Sequence, residues 1–181
     1  METATEAQEE EAMTGILAID PGASSGYCLI HTGSPVKYDW GVIRLKSKRA
    51  AQKMRDLFGK AILVGVDVVV IEGPYPVRIP KRNKDGEVEE TVLGWRTMYG
   101  LGVSRGRWEQ EAAAAGLRIV EVSPRTWQAR TVGTGKRDQQ IAKYKARAKH
   151  LTKSTKAVPA DAAAAICIAD WAMIQRRNGA L

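Results

Sequence analysis

A near-continuous β-branched run, Asp67–Ile71 (DVVVI), closed by Glu72, constrains this chain more than any other stretch. Branching at Cβ stiffens a side chain against the preceding turn of a helix but suits the pleated surface of a strand. A strand without apolar and polar alternation is covered on both faces, so helices must lie on either side of its sheet. The flanks supply them. Ala50–Val64 carries Met54, Leu57, Phe58, Ala61 and Ile62 at helical spacing and feeds directly into the run. Upstream, Gly15–Asp20 (GILAID) is a short apolar run ending in an acid. The turn Pro21-Gly22 and then Gly26–His31 make it a hairpin, and a third strand over Lys37–Leu45 completes an antiparallel meander. Downstream, Pro74–Asp85 reads as a basic, irregular surface loop. A long helix over Thr91–Ala115 follows, stopped by Gly116, then a strand over Arg118–Val122 and helices over Arg137–Leu151 and Ala160–Arg176. The order βββ-α-β-α-β-α-α predicts an α/β fold: a five-stranded mixed sheet flanked by helices. The 181 residues suit a single domain. We expect residues 1–13 to form a disordered acidic tail and residues 14–177 the folded unit.

Composition narrows the partners. The formal charge of +8 understates the basic character, because the first 11 residues hold five glutamates and no Lys or Arg. From residue 12 onward 28 basic residues face 15 acidic ones. Arg125–Lys156 alone has ten Lys or Arg against one acid, Asp138. So one-sided a block points to a polyanion, nucleic acid first. No apolar run approaches the roughly 20 residues that span a bilayer, and Met1–Glu11 is acidic where a targeting peptide would be basic. We therefore expect a cytoplasmic protein. Cys28 and Cys167 lie in apolar stretches without metal-ligand spacing, and read as buried thiols rather than a zinc site.

Asp20 and Glu72 each end an apolar strand, and Asp161 opens an Ala-rich helix that can pack closely on a sheet. If the two strands are neighbours, all three carboxylates can converge at one sheet edge. Singly, each acid could simply cap a turn or favour a helix dipole. Together, in a chain this basic, they suit phosphodiester hydrolysis, in which two divalent ions activate water and stabilise the leaving oxygen. Mg²⁺ requires oxygen ligands of this kind, with Mn²⁺ able to substitute. Glu87, Glu89, Glu90, Glu109 and Glu111 read as solvated surface.

Four motifs in order carry a family resemblance: Ile19-Asp20-Pro21-Gly22 with Gly26-Tyr27; Val70-Ile71-Glu72; Ser123-Pro124, Trp127 and Gly133-Thr134-Gly135; and Ala160-Asp161-Ala162-Ala163-Ala164. Over about Gly15 to Ala172 the chain resembles the RuvC Holliday-junction resolvases, members of the RNase H-like superfamily. The resemblance implies an RNase H-like fold with Asp20, Glu72 and Asp161 as catalytic metal ligands. It also implies a homodimer that resolves four-way DNA junctions by paired nicks, with Tyr75 stacking on a base near the branch point. Two positions depart from the pattern. Val158 stands where the family commonly has an acid or a histidine, leaving the fourth ligand open, and Asp170 is out of helical phase to replace it. Gln128 stands where the family has a lysine, a phosphate contact that Arg125, Arg130, Lys136 or Arg137 could assume.

Arg78, Lys81, Arg82 and Lys84, directly after Glu72, are expected to touch backbone phosphate, with Lys143 and its neighbours Lys145, Arg147, Lys149 and Lys153 extending the surface. Trp95, Tyr99 and Trp108 fall in the long central helix, as dimer contacts or as core. Three other functions compete with this one. D-P-G-x-S-S-G also resembles the phosphate loop of actin-like kinases, but those need two such domains. An RNase H-like nuclease without junction specificity, and a structure-specific DNA-binding protein without catalysis, remain as alternatives.

Overall fold

The structure, a computed structural model, describes residues 15–31, 36–73, 78–82, 84–92, 94–133 and 135–181, with only the main chain at 78–82 and 88–92. The tail expected at residues 1–13 and Tyr75 lie outside the described residues. Three antiparallel strands open the fold, β1 (Gly15–Asp20), β2 (Ser24–His31) and β3 (Lys37–Arg44), followed by helix α1 (Ala50–Leu63) and strand β4 (Val66–Glu72). A hairpin of β5 (Arg78–Arg82) and β6 (Val88–Val92) leads into α2 (Trp95–Ala114), β7 (Arg118–Val122), α3 (Pro124–Thr131), α4 (Arg137–Thr152) and α5 (Ala160–Arg177). The main sheet has five strands in the order β3-β2-β1-β4-β7. Strands β1 and β2, and β2 and β3, pair antiparallel, whereas β4 runs parallel to both β1 and β7.

Side-chain alternation sorts the core into two layers. Ile16 and Ala18 of β1, Cys28 and Ile30 of β2, and Val68 and Val70 of β4 point to one face, where α3, α4 and α5 cover them. Leu17, Ile19, Leu29, Val69 and Ile71 point to the other, under α1 and α2. Each fully buried Val, Leu or Ile contributes about 1.5–3 kcal/mol relative to exposure. The DVVVI run is thus buried on both faces, as its composition requires. The small residues of α5, Ala162 to Ala165 and Ala169, let its backbone lie close on β1 and β2.

Two segments differ from expectation. Within the stretch read as an irregular loop, Arg78–Arg82 is a strand paired with Val88–Val92, and Gly86 at φ +84° makes the turn. Consequently the long helix starts at Trp95 rather than Thr91, since Thr91 and Val92 belong to β6 and Gly94 is the N-cap. The sequence order also lacks α3, a short helix whose N-cap Ser123 accepts a hydrogen bond from Thr126 N–H, with Pro124 in the first turn. Among the described residues no helix is long and apolar enough to cross a membrane.

Candidate active site

The parallel register pairs Ile19 with Ile71, so Asp20 and Glu72 are the next residues on adjacent strands. Alternation places both on the face covered by α3–α5, in step with Ile16 and Ala18 and with Val68 and Val70. Glu72 is only 4% exposed. Burial pushes its pKa well above the usual carboxylate range, and the neighbouring Asp20 charge and a hydrogen bond between the two carboxyl groups push the same way. All three causes favour the neutral form of Glu72.

Asp161 is brought to the same place by its main chain. A Cβ built on Gly26 would lie 1.9 Å from the Asp161 carbonyl oxygen, so the start of α5 rests directly on β2 at this glycine. Gly26 is the register partner of Asp20. The half-buried Asp161 side chain, however, lines a cleft with Ser24, Arg44 and Lys53. Among the described residues no three acidic, His or Cys side chains stand together as a metal-holding group. The expected three-carboxylate convergence is therefore met by the backbone and by two of the side chains. The Asp161 residue lines the neighbouring cleft together with Arg44 and Lys53.

The surroundings of the pair are built from residues that motif reading left without a role. Ser25 Oγ donates to the Gly22 carbonyl at 2.9 Å and accepts from the Trp108 indole Nε1–H at 3.0 Å, and Ser104 Oγ donates to the same carbonyl at 2.9 Å. Ser25, Ser104 and Trp108 are buried, so the turn after Asp20 is tied to α2 through a satisfied polar network. Trp108 is thereby core. Beyond Glu72, a Cβ on Gly73 would lie 2.5 Å from the Arg105 guanidinium, which pairs with Glu109 and Glu121. Glu109 is thus an ion-pair partner rather than plain solvated surface.

On the α3 side, Trp127 is 1% exposed, and its ring centroid lies 5.2 Å from that of Tyr144. The Trp127 indole N–H is buried and makes no hydrogen bond of ordinary geometry. It lies near enough to Glu72 to draw that carboxyl's pKa down, against the larger upward effects of burial and Asp20. The Tyr144 hydroxyl is pushed up to about 12, by burial first and then by the charges of Glu72, Cys167 and Asp20. The cue in the sequence was Ser123-Pro124, a helix start that turns Trp127 and Thr131 inward.

Of the basic residues singled out, Arg125, Arg130, Lys136, Arg137 and Lys143 are exposed on α3 and the start of α4, and Lys84 is exposed in the β5–β6 turn. Arg78, Lys81 and Arg82 lie on β5, and their side chains are outside the described residues. Val158 is buried in the α3–α5 core. Asp170 is held by Arg147, whose Nε donates at 2.9 Å.

No protein-family model matches the sequence, and no curated protein matches it. Solved structures do. RuvC of Thermus thermophilus in complex with a Holliday junction substrate superposes with a TM-score of 0.63 at 14% identity, over 92% of this chain and 98% of that one. A second Thermus thermophilus RuvC structure gives 0.62 at 16% identity, with the same coverage. The five-stranded mixed sheet and its flanking helices thus have the RNase H-like fold in the form found in RuvC.

Proposed function

We propose that this chain is a divalent-cation-dependent endodeoxyribonuclease that resolves four-way DNA junctions by paired nicks. The observation that carries the reading is the pair of Asp20 and the buried Glu72 at the ends of adjacent strands, with the main chain of Asp161 one strand away on Gly26. Hard divalent cations take oxygen donors, and two touching carboxyl groups fit one. Asp20 and Glu72 would hold it, with Asp161 completing the set, and a two-ion centre needs all three carboxylates. Mg²⁺ is the natural ion, and Mn²⁺ should substitute. Such an ion, when bound, lowers the pKa of attached water and polarises a phosphoryl oxygen. The chain's own residues do the positioning. The Ser25–Ser104–Trp108 network holds the turn after Asp20, the Trp127 indole N–H faces Glu72, and the buried aromatics limit water at the pair.

The exposed cations of α3 and α4, with Arg78, Lys81, Arg82 and Lys84, would bind backbone phosphate, and Tyr75 would stack on a base. Paired nicks call for two active sites. Helix α2 presents Trp95 and Tyr99, 71% and 69% exposed, beside Met98 and Val103, an apolar face suited to a homodimer. We further propose that residues 1–13 are a tail outside the nuclease domain at 14–177, and that the protein acts in the cytoplasm.

The test is cleavage of an end-labelled four-way junction beside linear duplex of the same sequence, in Mg²⁺. Symmetric nicks in the junction alone support resolution, and equal cutting of both substrates means a nuclease without junction specificity. The burial of Val158, which removes a fourth donor, favours one second reading: junction binding without cleavage.

A further inference from the structure

Between Arg44 and Arg55 the chain carries six Lys or Arg and no acid, a basic stretch that the nuclease reading above does not use. Two of these cations turn into a cleft of about 450 Å³, where Arg44 and Lys53 are joined by the hydroxyl residues Ser24 and Ser47 and closed off by Pro159 and Asp161. Arg105, Arg147 and Arg176 are each engaged by carboxylates, whereas among the described residues neither Arg44 nor Lys53 has an ion-pair partner. The first turn of α1 adds no acid, and its N-cap Arg49 makes no side-chain cap, so the positive end of that helix is not offset locally.

The cleft has a definite place relative to the acid pair. Ser24 is the register partner of Arg44. It precedes by two residues, on the same face of β2, the glycine that pairs with Asp20. Two residues of strand span roughly 7 Å, comparable with two nucleotide steps at about 3.4 Å of rise each. The cleft lies on the β2–β3 side of Asp20 and Glu72, whereas Arg125 and Arg130 follow β7 at the opposite end of the strand order.

We propose that this cleft is a phosphate subsite for a nucleic-acid backbone, one or two nucleotides from the phosphate presented to Asp20 and Glu72. Arg44 and Lys53 neutralise the phosphate and the Ser24 and Ser47 hydroxyls donate to its oxygens. A strand crossing the sheet edge then meets cations on both sides of the acid pair, which fixes its direction as well as its position. The inference rests on the nucleic-acid reading above but not on cleavage.

Binding of a fluorescent four-way junction, followed by anisotropy in EDTA between 50 and 200 mM salt, tests it. Each phosphate contact contributes about 0.9 to the slope of log K against log salt. Arg44→Gln and Lys53→Gln should each weaken binding, roughly five- to tenfold for the pair together, and the pair should lower the slope by about 0.9. Arg118→Gln removes the same charge at the far, N-terminal end of β7 and should leave the slope unchanged. Melting curves that match the wild type keep misfolding out of the comparison. Unchanged slopes, or equal effects from Arg44→Gln and Arg118→Gln, overturn the subsite. Cleavage is scored separately in Mg²⁺. A wild type that binds but does not cut sinks the nuclease reading and leaves the slope test standing, whereas cutting with unchanged slopes sinks the cleft alone.

Discussion

Gly26 shows how narrowly one residue can be constrained. With α5 seated 1.9 Å from where its Cβ would be, Gly26→Ala must push the helix off β2, and the obstacle is backbone that cannot rotate away. Overpacking of this kind costs about 1–3 kcal/mol, and each kcal/mol lowers the Tm of a domain this size by about 2–4 °C. We expect Gly26→Ala to melt several degrees lower, which calorimetry would register; an unchanged Tm would contradict the close approach. Glu72 makes a prediction of opposite sign. Its pKa is raised on folding, so its contribution to stability is full below the ordinary carboxylate range and is lost as pH rises through the elevated folded value. Glu72→Gln cannot ionise. It should therefore melt above the wild type at about pH 8, and this advantage should vanish by about pH 4. An advantage that persists in acid would mean that something other than desolvation of the carboxylate sets it. Both acids were legible in the sequence because each closes an apolar strand. Gly26 appeared there only as part of a motif, since its constraint comes from a helix more than 130 residues away.

Among the elements, strands and helices with a strong pattern were read almost to their ends. Helix α1, strand β7 and helices α4 and α5 differ from expectation by a residue or two at most. The β5–β6 hairpin was missed because Pro80 and the charges around it suppress the strand pattern, although Asp85-Gly86 is a strong turn signal. Helix α3 was missed because eight residues are too few for periodicity to show. Trp95, Tyr99 and Trp108 of α2 could not be separated by sequence. Spacing alone does not say which face meets the sheet, and the structure buries Trp108 while leaving the other two outside. That division leads to an element-level prediction. Trp95→Ser with Tyr99→Ser should shift the protein towards monomer in sedimentation velocity, with its melting temperature little changed because neither side chain is in the core. A monomeric wild type, or a double variant that stays dimeric, would remove α2 from the interface.

At the scale of the whole molecule, a basic chain places two of the few polar side chains buried among the described residues, Ser25 and Glu72, around the C-terminal ends of β1 and β4. A carboxyl buried beside a second carboxyl is poorly solvated alone and well suited to a cation. The arrangement of the third acid was beyond sequence reasoning, because its approach depends on how the start of α5 seats on Gly26 of β2, a contact between segments more than 130 residues apart. The most direct test is a time course on labelled four-way junction with wild type, Asp20→Asn and Glu72→Gln, each in Mg²⁺ and in EDTA. Metal-dependent cutting by the wild type is expected, with losses of at least about a thousandfold in both folded variants, on the order of 4 kcal/mol in the barrier. Wild-type cutting in EDTA, or full activity in either variant, would contradict the assignment of Asp20 and Glu72 as the centre of the chemistry.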